Sequence, residues 1–356
     1  MEGPAVSFSG TYTPSEALIQ NVPTVRSRVL NHDFAQVKIR EDPISRDRWR
    51  KCVQKKLLVV GSINIDLVAF ADRLPAPGET ILGNTFDVYN GGKGANQAVA
   101  VAKLGAAVEM IACLGTDLFT ERLLSGLKTA GVDTHSVQIV AGPCGVAQIS
   151  RAGSGENSIV VIPGANRLVS AALIDAHVEE VRRASMILVQ LETPLEAVLR
   201  LAEQAWEAKT PLMLDPAPAR PLPQLLLSRT TWLTPNETEA QTLLGRINIE
   251  PPEAAEKLLA TGVRNVALKL GSQGVFLAGR DCPAQRVPAF PVNAVDTTAA
   301  GDCFNAAFAV ALTRGKPPAE AARYGAAAAA ISVTRAGAQP SLPTSAEVEA
   351  FLAQAN

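Results

Sequence analysis

From Lys56 onward, short apolar runs alternate with stretches of helical periodicity, and this alternation narrows the fold more than any other feature of the chain. The runs at residues 57–60, 110–114, 186–191, 211–214, 231–233 and 266–270 are too short for helices and nearly continuously apolar, the pattern of strands covered on both faces. Between them, residues 94–104, 120–130, 171–184, 194–208, 238–244 and 254–261 carry apolar side chains at helical spacing. Strand and helix in turn predict an α/β fold, a central and mostly parallel sheet flanked by helices in three layers. The C-terminal part reads as mostly helical, over residues 299–313, 319–333 and 345–354. Two segments break the rhythm. Residues 80–88 and 145–162 alternate apolar and polar side chains, with turn residues at 152–157, and read as half-buried antiparallel strands. They form either a small lid projecting over a ligand or an edge hairpin.

Composition excludes several classes of function. The 33 Lys and Arg are balanced by 34 Asp and Glu, and no run of basic residues occurs, so no nucleic-acid partner is expected. The 5 cysteines are scattered without a Cys-x-x-Cys pair, which argues against a disulfide framework and against zinc. With only 3 histidines, a His-based metal centre or a Ser-His-Asp triad has little to draw on. No apolar run reaches the roughly 18 residues of a membrane span. Residues 1–55 are polar and weakly periodic, and we read them as an N-terminal extension outside the main fold, partly helical or disordered. Its arginines suggest an organelle transit peptide, but Glu2, Glu16, Asp33, Glu41, Asp42 and Asp47 speak against one. A cytoplasmic enzyme acting on a small molecule is the expectation, its domain spanning residues 56–356.

Two segments, one rich in glycine and one of small residues with a glycine, carry the chemistry. Gly91-Gly92-Lys93-Gly94-Ala95-Asn96 would let backbone approach a polar ligand closely at a helix start, although such turns are also common structural devices. It is not a Walker A loop, which occurs nowhere in the chain. Asp296-Thr297-Thr298-Ala299-Ala300-Gly301-Asp302 leads into an apolar helix whose first N–H groups can face an anion. There Asp302 serves either as a base for an attacking hydroxyl or as an ordinary N-terminal helix charge.

Together these segments resemble the ribokinase family of carbohydrate kinases, also called the PfkB family, from about Leu57 to about Leu352. Lesser blocks agree in order: Gly61-Ser62-Ile63-Asn64-Ile65-Asp66, Pro77-Gly78-Glu79-Thr80, Asp215-Pro216-Ala217-Pro218-Ala219, Thr234-Pro235-Asn236-Glu237 and Gly337-Ala338-Gln339-Pro340-Ser341. The resemblance implies ATP-dependent phosphorylation of ribose on its 5-hydroxyl, by a three-layer domain with a small β-sheet lid near residues 80–90 and 145–162. It implies sugar contacts from Asn64 and Asp66 at the end of the first strand, and from Gly92, Lys93, Asn96 and Glu192. Read alone, Glu192 could as well be a solvated strand end. Asp302 matches the catalytic base, and Ala299, Ala300 and Gly301 match an anion hole.

For ATP the implied contacts are Asn236, Lys269, Gly271, Gly274, Gly301 and Ala326, with Asn236 and Glu239 linked to Mg²⁺. An activating K⁺ is implied at Asp296, Thr298, Ser332, Arg335, Gly337 and Ser341, several through backbone oxygen. A homodimer joined through the lid strands is implied as well. The chain departs from the pattern at Lys269, where a small polar residue such as Thr is expected, and at Ala326, where His or Asn is common. Cys303, directly after the base, reads as a packing residue. The rival readings are a kinase of the same family for deoxyribose, fructose or pseudouridine, and a non-catalytic sugar sensor on the same fold.

Overall fold

The structure is a computed structural model and describes residues 56–355; the extension expected over residues 1–55 lies outside them. In chain order the elements are β1 (Leu57–Val60), β2 (Asn64–Ala71), β3 (Thr85–Gly91), α1 (Lys93–Lys103), β4 (Val108–Leu114), α2 (Thr120–Thr129), β5 (Val137–Ile139), β6 (Gly145–Ala152) and β7 (Asn157–Ile162). There follow α3 (Ala171–Ala176), α4 (Val178–Arg183), β8 (Met186–Val189), α5 (Leu195–Ala208), β9 (Leu212–Leu214), α6 (Gln224–Ser228), β10 (Trp232–Leu233), α7 (Glu237–Leu244), α8 (Pro251–Ala260) and β11 (Asn265–Lys269). The chain closes with β12 (Val275–Gly279), β13 (Gln285–Val287), α9 (Ala300–Thr313), α10 (Pro318–Val333) and α11 (Ser345–Gln354).

A nine-stranded sheet in the order β13-β12-β11-β10-β9-β8-β1-β4-β5 forms the centre, parallel except where β12 and β13 pair antiparallel at one edge. The continuous apolar runs follow from burial on both faces. Leu57 and Val59 of β1 point into one core with α1, α9 and α10; Leu58 and Val60 point into the other, with α3, α5 and α8. Met110 and Ile111 of β4, and Leu188 and Val189 of β8, divide in the same way. This is the expected three-layer α/β arrangement.

The chain leaves β1, builds β4 and β5 on one side, then crosses to β8 on the other. The strand order therefore reverses beside β1, and the crevice at the carboxyl ends of β1 and β8 is where such sheets expose ligand groups.

A second sheet of four strands, in the order β3-β2-β6-β7, stands apart. Here the sequence-based expectation needs correction. Asn64 and Asp66 do not end the first strand; they begin β2, a separate strand in the middle of the small sheet. Its two central strands, β2 and β6, run parallel, with antiparallel pairing only to the outer strands β3 and β7. Strand structure also begins at Thr85, not at residue 80. Edge strands β12 and β13 and the short β5 were not foreseen. The helix expected over 171–184 is two, broken at His177, whose φ of −116° and ψ of 29° leave the helical region. Among the described residues no helix is long and apolar enough to cross a membrane.

Candidate active site

Where β1 ends, Ser62 donates its hydroxyl hydrogen to Glu192 Oε2, which also accepts from the Lys93 amide at 3.2 Å. The Gly-Gly-Lys-Gly turn is thereby fastened across the carboxyl ends of β1 and β8. Gly92 enters α1 with φ of 89°, and a Cβ there would lie 2.7 Å from the Asn64 amide nitrogen and 2.9 Å from the Ser62 carbonyl. Only glycine fits both the dihedral and the approach. Glu192 is thus a bonded member of the crevice and not a solvated strand end.

Asn64 is buried and held by Asn166, whose Nδ2 donates to Asn64 Oδ1 at 2.7 Å and whose Oδ1 accepts from the Ile63 amide at 2.9 Å. Two positions on, Asp66 faces a cavity of about 220 Å³ between the small sheet and the 294–298 segment, lined also by Tyr89, Arg151, Thr298 and Gly337. Burial, with Glu192 and Asp302 nearby, pushes the Asp66 carboxyl up to about 7, against the pull of Lys93.

Asp302 lies in the first turn of α9 and is buried. Its Oδ2 accepts from Asn96 Nδ2 at 3.0 Å and its Oδ1 from Gln97 Nε2 at 3.1 Å. Burial pushes it up to about 6; Lys93 opposes that rise, Asp215 adds to it, and the two amide donors restrain it. Ala299, at φ of 60°, turns the chain into α9, an unusual conformation for a residue with a Cβ and one that marks functional sites. Ala300 N bonds to Thr297 O and Cys303 N to Ala299 O, so the Gly301 and Asp302 amides between them remain as helix-start donors.

Lys93 sits among carboxylates. Burial opposes its charge, but Asp302, Asp215, Glu192 and Glu239 outweigh that and hold the ammonium above its usual range. Lys269, at the carboxyl end of β11, bonds to Asp215 Oδ1 at 3.2 Å. Such a centre can take a proton from a hydroxyl while cations and free amides neutralise an incoming polyanion.

Beyond Lys269, Gly271 and Gly274 shape the loop between β11 and β12 with φ of 54° and 92°. Ala326 is buried on α10, a helix that packs on β12. Asn236 and Glu239 close a capping box on α7: Asn236 Oδ1 accepts from the Glu239 amide at 2.8 Å, and Glu239 Oε2 from the Asn236 amide at 2.7 Å. Burial raises Glu239, opposed by Lys269 and furthered by Asp215.

The 296–298 segment meets the turn after α10. Asp296 Oδ1 accepts from Thr298 N and Oγ1, while its Oδ2 accepts from Gly337 N at 3.0 Å and from Arg151 Nη1 at 2.8 Å. Burial works against its charge, yet these bonds hold the carboxyl below its usual range. Ser332 and Ser341 are buried and give their hydroxyl hydrogens to Ala329 O and Ala338 O. Arg335 turns to Glu347 instead, at 2.6 Å.

Reasoning from sequence missed Gln97, Gln190, Asn166 and Arg151, and gave Asp215 no role. Asp215 could have been found, since it opens one of the quoted blocks. Gln97 and Arg151 had no such signal, because only the fold brings them to Asp302 and Asp296.

Comparison with known proteins bears on the family and the fold. The sequence pattern of the pfkB family carbohydrate kinases matches residues 54–345. A ribokinase of Haemophilus influenzae is 41% identical over 308 residues, 85% of this chain and 100% of its own. The crystal structure of a Thermotoga maritima ribokinase superposes with a TM-score of 0.78 at 42% identity, covering 84% of this chain and 99% of that one. An Arabidopsis thaliana ribokinase complexed with ribose and ATP does so with 0.78 at 36% identity, covering 84% and 98%.

Proposed function

The chain belongs to the pfkB family of carbohydrate kinases, and from that premise we propose that it transfers the γ-phosphoryl group of ATP to the 5-hydroxyl of D-ribose, the reaction of a ribokinase. It is an ATP-dependent sugar kinase. The observation that carries the reading is Asp302, buried at a helix start between two amide donors and beside Lys93.

In this reading ribose lies between the small sheet and the crevice. Asp66 accepts sugar hydroxyl hydrogens, and Asn64, Gly92, Lys93 and Glu192 complete the enclosure. Asn96 Oδ1 is buried without a partner among the described residues and is free to accept another hydroxyl. Asp302 takes the proton of the 5-hydroxyl as its oxygen attacks phosphorus, with ADP leaving in line. The Gly301 and Asp302 amides, at a turn set by Ala299 and Ala300, meet the charge on the transferring group. Asn236, Lys269, Gly271, Gly274, Gly301 and Ala326 border the nucleotide.

Two ions fit the residues present. Asp215 adds to the burial that disfavours charge on Glu239, a hard-oxygen setting that a divalent cation relieves. Asn236 and Glu239 would hold Mg²⁺ there largely through water, and the ion would neutralise phosphate charge. Asp296, held ionised, with buried Ser332 and Ser341 and the surrounding backbone oxygens, suits a monovalent cation. Asp296, Thr298, Ser332, Arg335, Gly337 and Ser341 would hold K⁺, chiefly through carbonyls, and the ion would steady the approach to the anion hole.

The exposed apolar residues Ile159, Val160, Val161 and Ile162 of edge strand β7 support a homodimer joined through the small sheets. A cytoplasmic location accords with the four buried free cysteines among the described residues. The test is ADP release from Mg-ATP with ribose, deoxyribose, fructose, adenosine or pseudouridine, in potassium and in sodium. Turnover on ribose that rises with potassium is expected. Preference for another member of the panel would overturn the substrate, and no turnover on any would overturn the kinase reading.

A further inference from the structure

We infer that Lys269 is a phosphoryl-binding catalytic residue, held on Asp215 at rest and carried onto the transferring phosphoryl group when nucleotide reaches the start of α9. The inference rests on the kinase reading and adds a residue where the family pattern has a small polar one. From sequence alone this lysine was either exposed or directed at phosphate. Its side chain is only 13% exposed, which removes the first alternative.

Three observations place the ammonium in the reaction path. Lys269 ends β11 on the edge of the crevice where the sheet presents ligand groups. Its Nζ lies 3.4 Å from the point where a Cβ on Gly301 would stand, so it overhangs the free amides of the anion hole. And among the described residues Nζ makes a single hydrogen bond, to Asp215 Oδ1 at 3.2 Å, although an ammonium carries three donors. The other Asp215 oxygen accepts from Gln97 Nε2 at 3.1 Å. Asp215 therefore keeps a partner when the lysine leaves it, and the flexible stem of lysine allows the move.

The neighbourhood also needs the charge. Asp66, Glu192, Asp215, Glu239 and Asp302 bring five carboxyl groups together against Lys93 and Lys269. Beside the Mg²⁺ proposed above, a cation able to reach the phosphorus would offset the charge of a polyanionic nucleotide entering this field. In the step itself the bond from the sugar oxygen to phosphorus forms, the bond from phosphorus to the ADP oxygen breaks, and the proton goes to Asp302. Lys269 exchanges no proton and only offsets charge.

The experiment compares the unsubstituted chain with Lys269→Thr, Asp215→Asn and the double variant, since adjacent groups are apportioned only by such a cycle. It reads ribose-dependent ADP release and, by calorimetry, binding of ADP and of a non-hydrolysable ATP analogue. In Lys269→Thr we expect kcat to fall by about 100-fold, the order lost with one transition-state donor. The ribose KM should stay unchanged, ADP should bind as before, and the analogue should bind more weakly. The double variant should remain far slower than Asp215→Asn. A double variant as fast as Asp215→Asn would mean that the lysine merely neutralises that carboxylate, and would overturn the inference. So would full kcat in Lys269→Thr. If Lys269→Thr does not fold, the double variant, which leaves no buried charge unpaired, carries the same comparison. The nucleotide titrations need no sugar, so they read Lys269 even if ribose is the wrong substrate; turnover of the unsubstituted chain tests that separately.

Discussion

Replacing Gln97 by Met would separate the base from one of the two amide donors that, with Lys93, favour its charge. Gln97 Nε2 stands 3.1 Å from Asp302 Oδ1 and 3.1 Å from Asp215 Oδ2, and its Oε1 accepts from Gln190 Nε2 at 2.6 Å. Met fills similar volume and donates nothing. A hydrogen bond to a charged group contributes about 1.5–3 kcal/mol, which corresponds to about 1–2 pH units at 1.36 kcal/mol per unit. Asp302 stands at about 6, so its titration should move to between about 7 and 8 in Gln97→Met. At pH 7 the ionised fraction then falls from about 0.9 to between about 0.5 and 0.1, and kcat/KM for ribose falls about 2- to 10-fold. At pH 9 the two proteins should converge. The assay is kcat/KM for ribose at saturating Mg-ATP from pH 5 to 9. The acid limb should shift alkaline, with the plateau retained. A limb still near pH 6 over a lowered plateau would refute the argument, because Gln97 would then shape the site without holding the charge of Asp302. The freed Gln190 amide should lower stability by about 1–3 kcal/mol, visible in thermal melting.

Other outcomes follow from the same site. Asp66 stands at about 7 when folded against 3.8 otherwise, so the stability it contributes is full below about pH 4 and lost as pH rises through about 7, up to about 4 kcal/mol. Asp66→Asn should therefore gain on the parent in denaturant unfolding between those values while binding ribose more weakly; a difference constant with pH would mean that Asp66 is ionised throughout. Gly92→Ala should lose about 1–2 kcal/mol from its φ alone and more from collision with the Asn64 and Ser62 backbone, and calorimetric melting at parental temperature would contradict the placement of that turn. Arg151→Met removes a cation 2.8 Å from Asp296 and should lower the potassium concentration for half-activation; a raised requirement would show that Arg151 serves to hold the loop in shape.

The three-layer sheet could be read because burial on both faces leaves a direct trace, a run such as Leu-Val-Val that needs no partner to be recognised. The glycine turns could be read for a similar reason, since a positive φ or a close backbone approach is a local demand that few residues meet. Strands β2, β12 and β13 escaped. Strand β2 takes its place from the remote β6, whereas β12 and β13 pair with their chain neighbours at the sheet edge, and strand preference there depends strongly on context.

The site divides along the same line. Asp302, Lys93 and Asn96 sit in motif segments that stand out in the sequence, and Glu192, which read alone could be a solvated strand end, is singled out only by the family resemblance. Gln97, 205 residues from Asp302, and Arg151, 145 residues from Asp296, look ordinary where they stand in the chain. So does Lys269, whose side chain the sequence could equally have left in solvent. Whether a polar side chain ends in water or against a buried carboxylate is decided by desolvation and distance, and both exist only once the layers have packed. Sequence determined the strands covered on both faces and the turns that must be glycine; tertiary structure decided how the other strands pair and which charges meet.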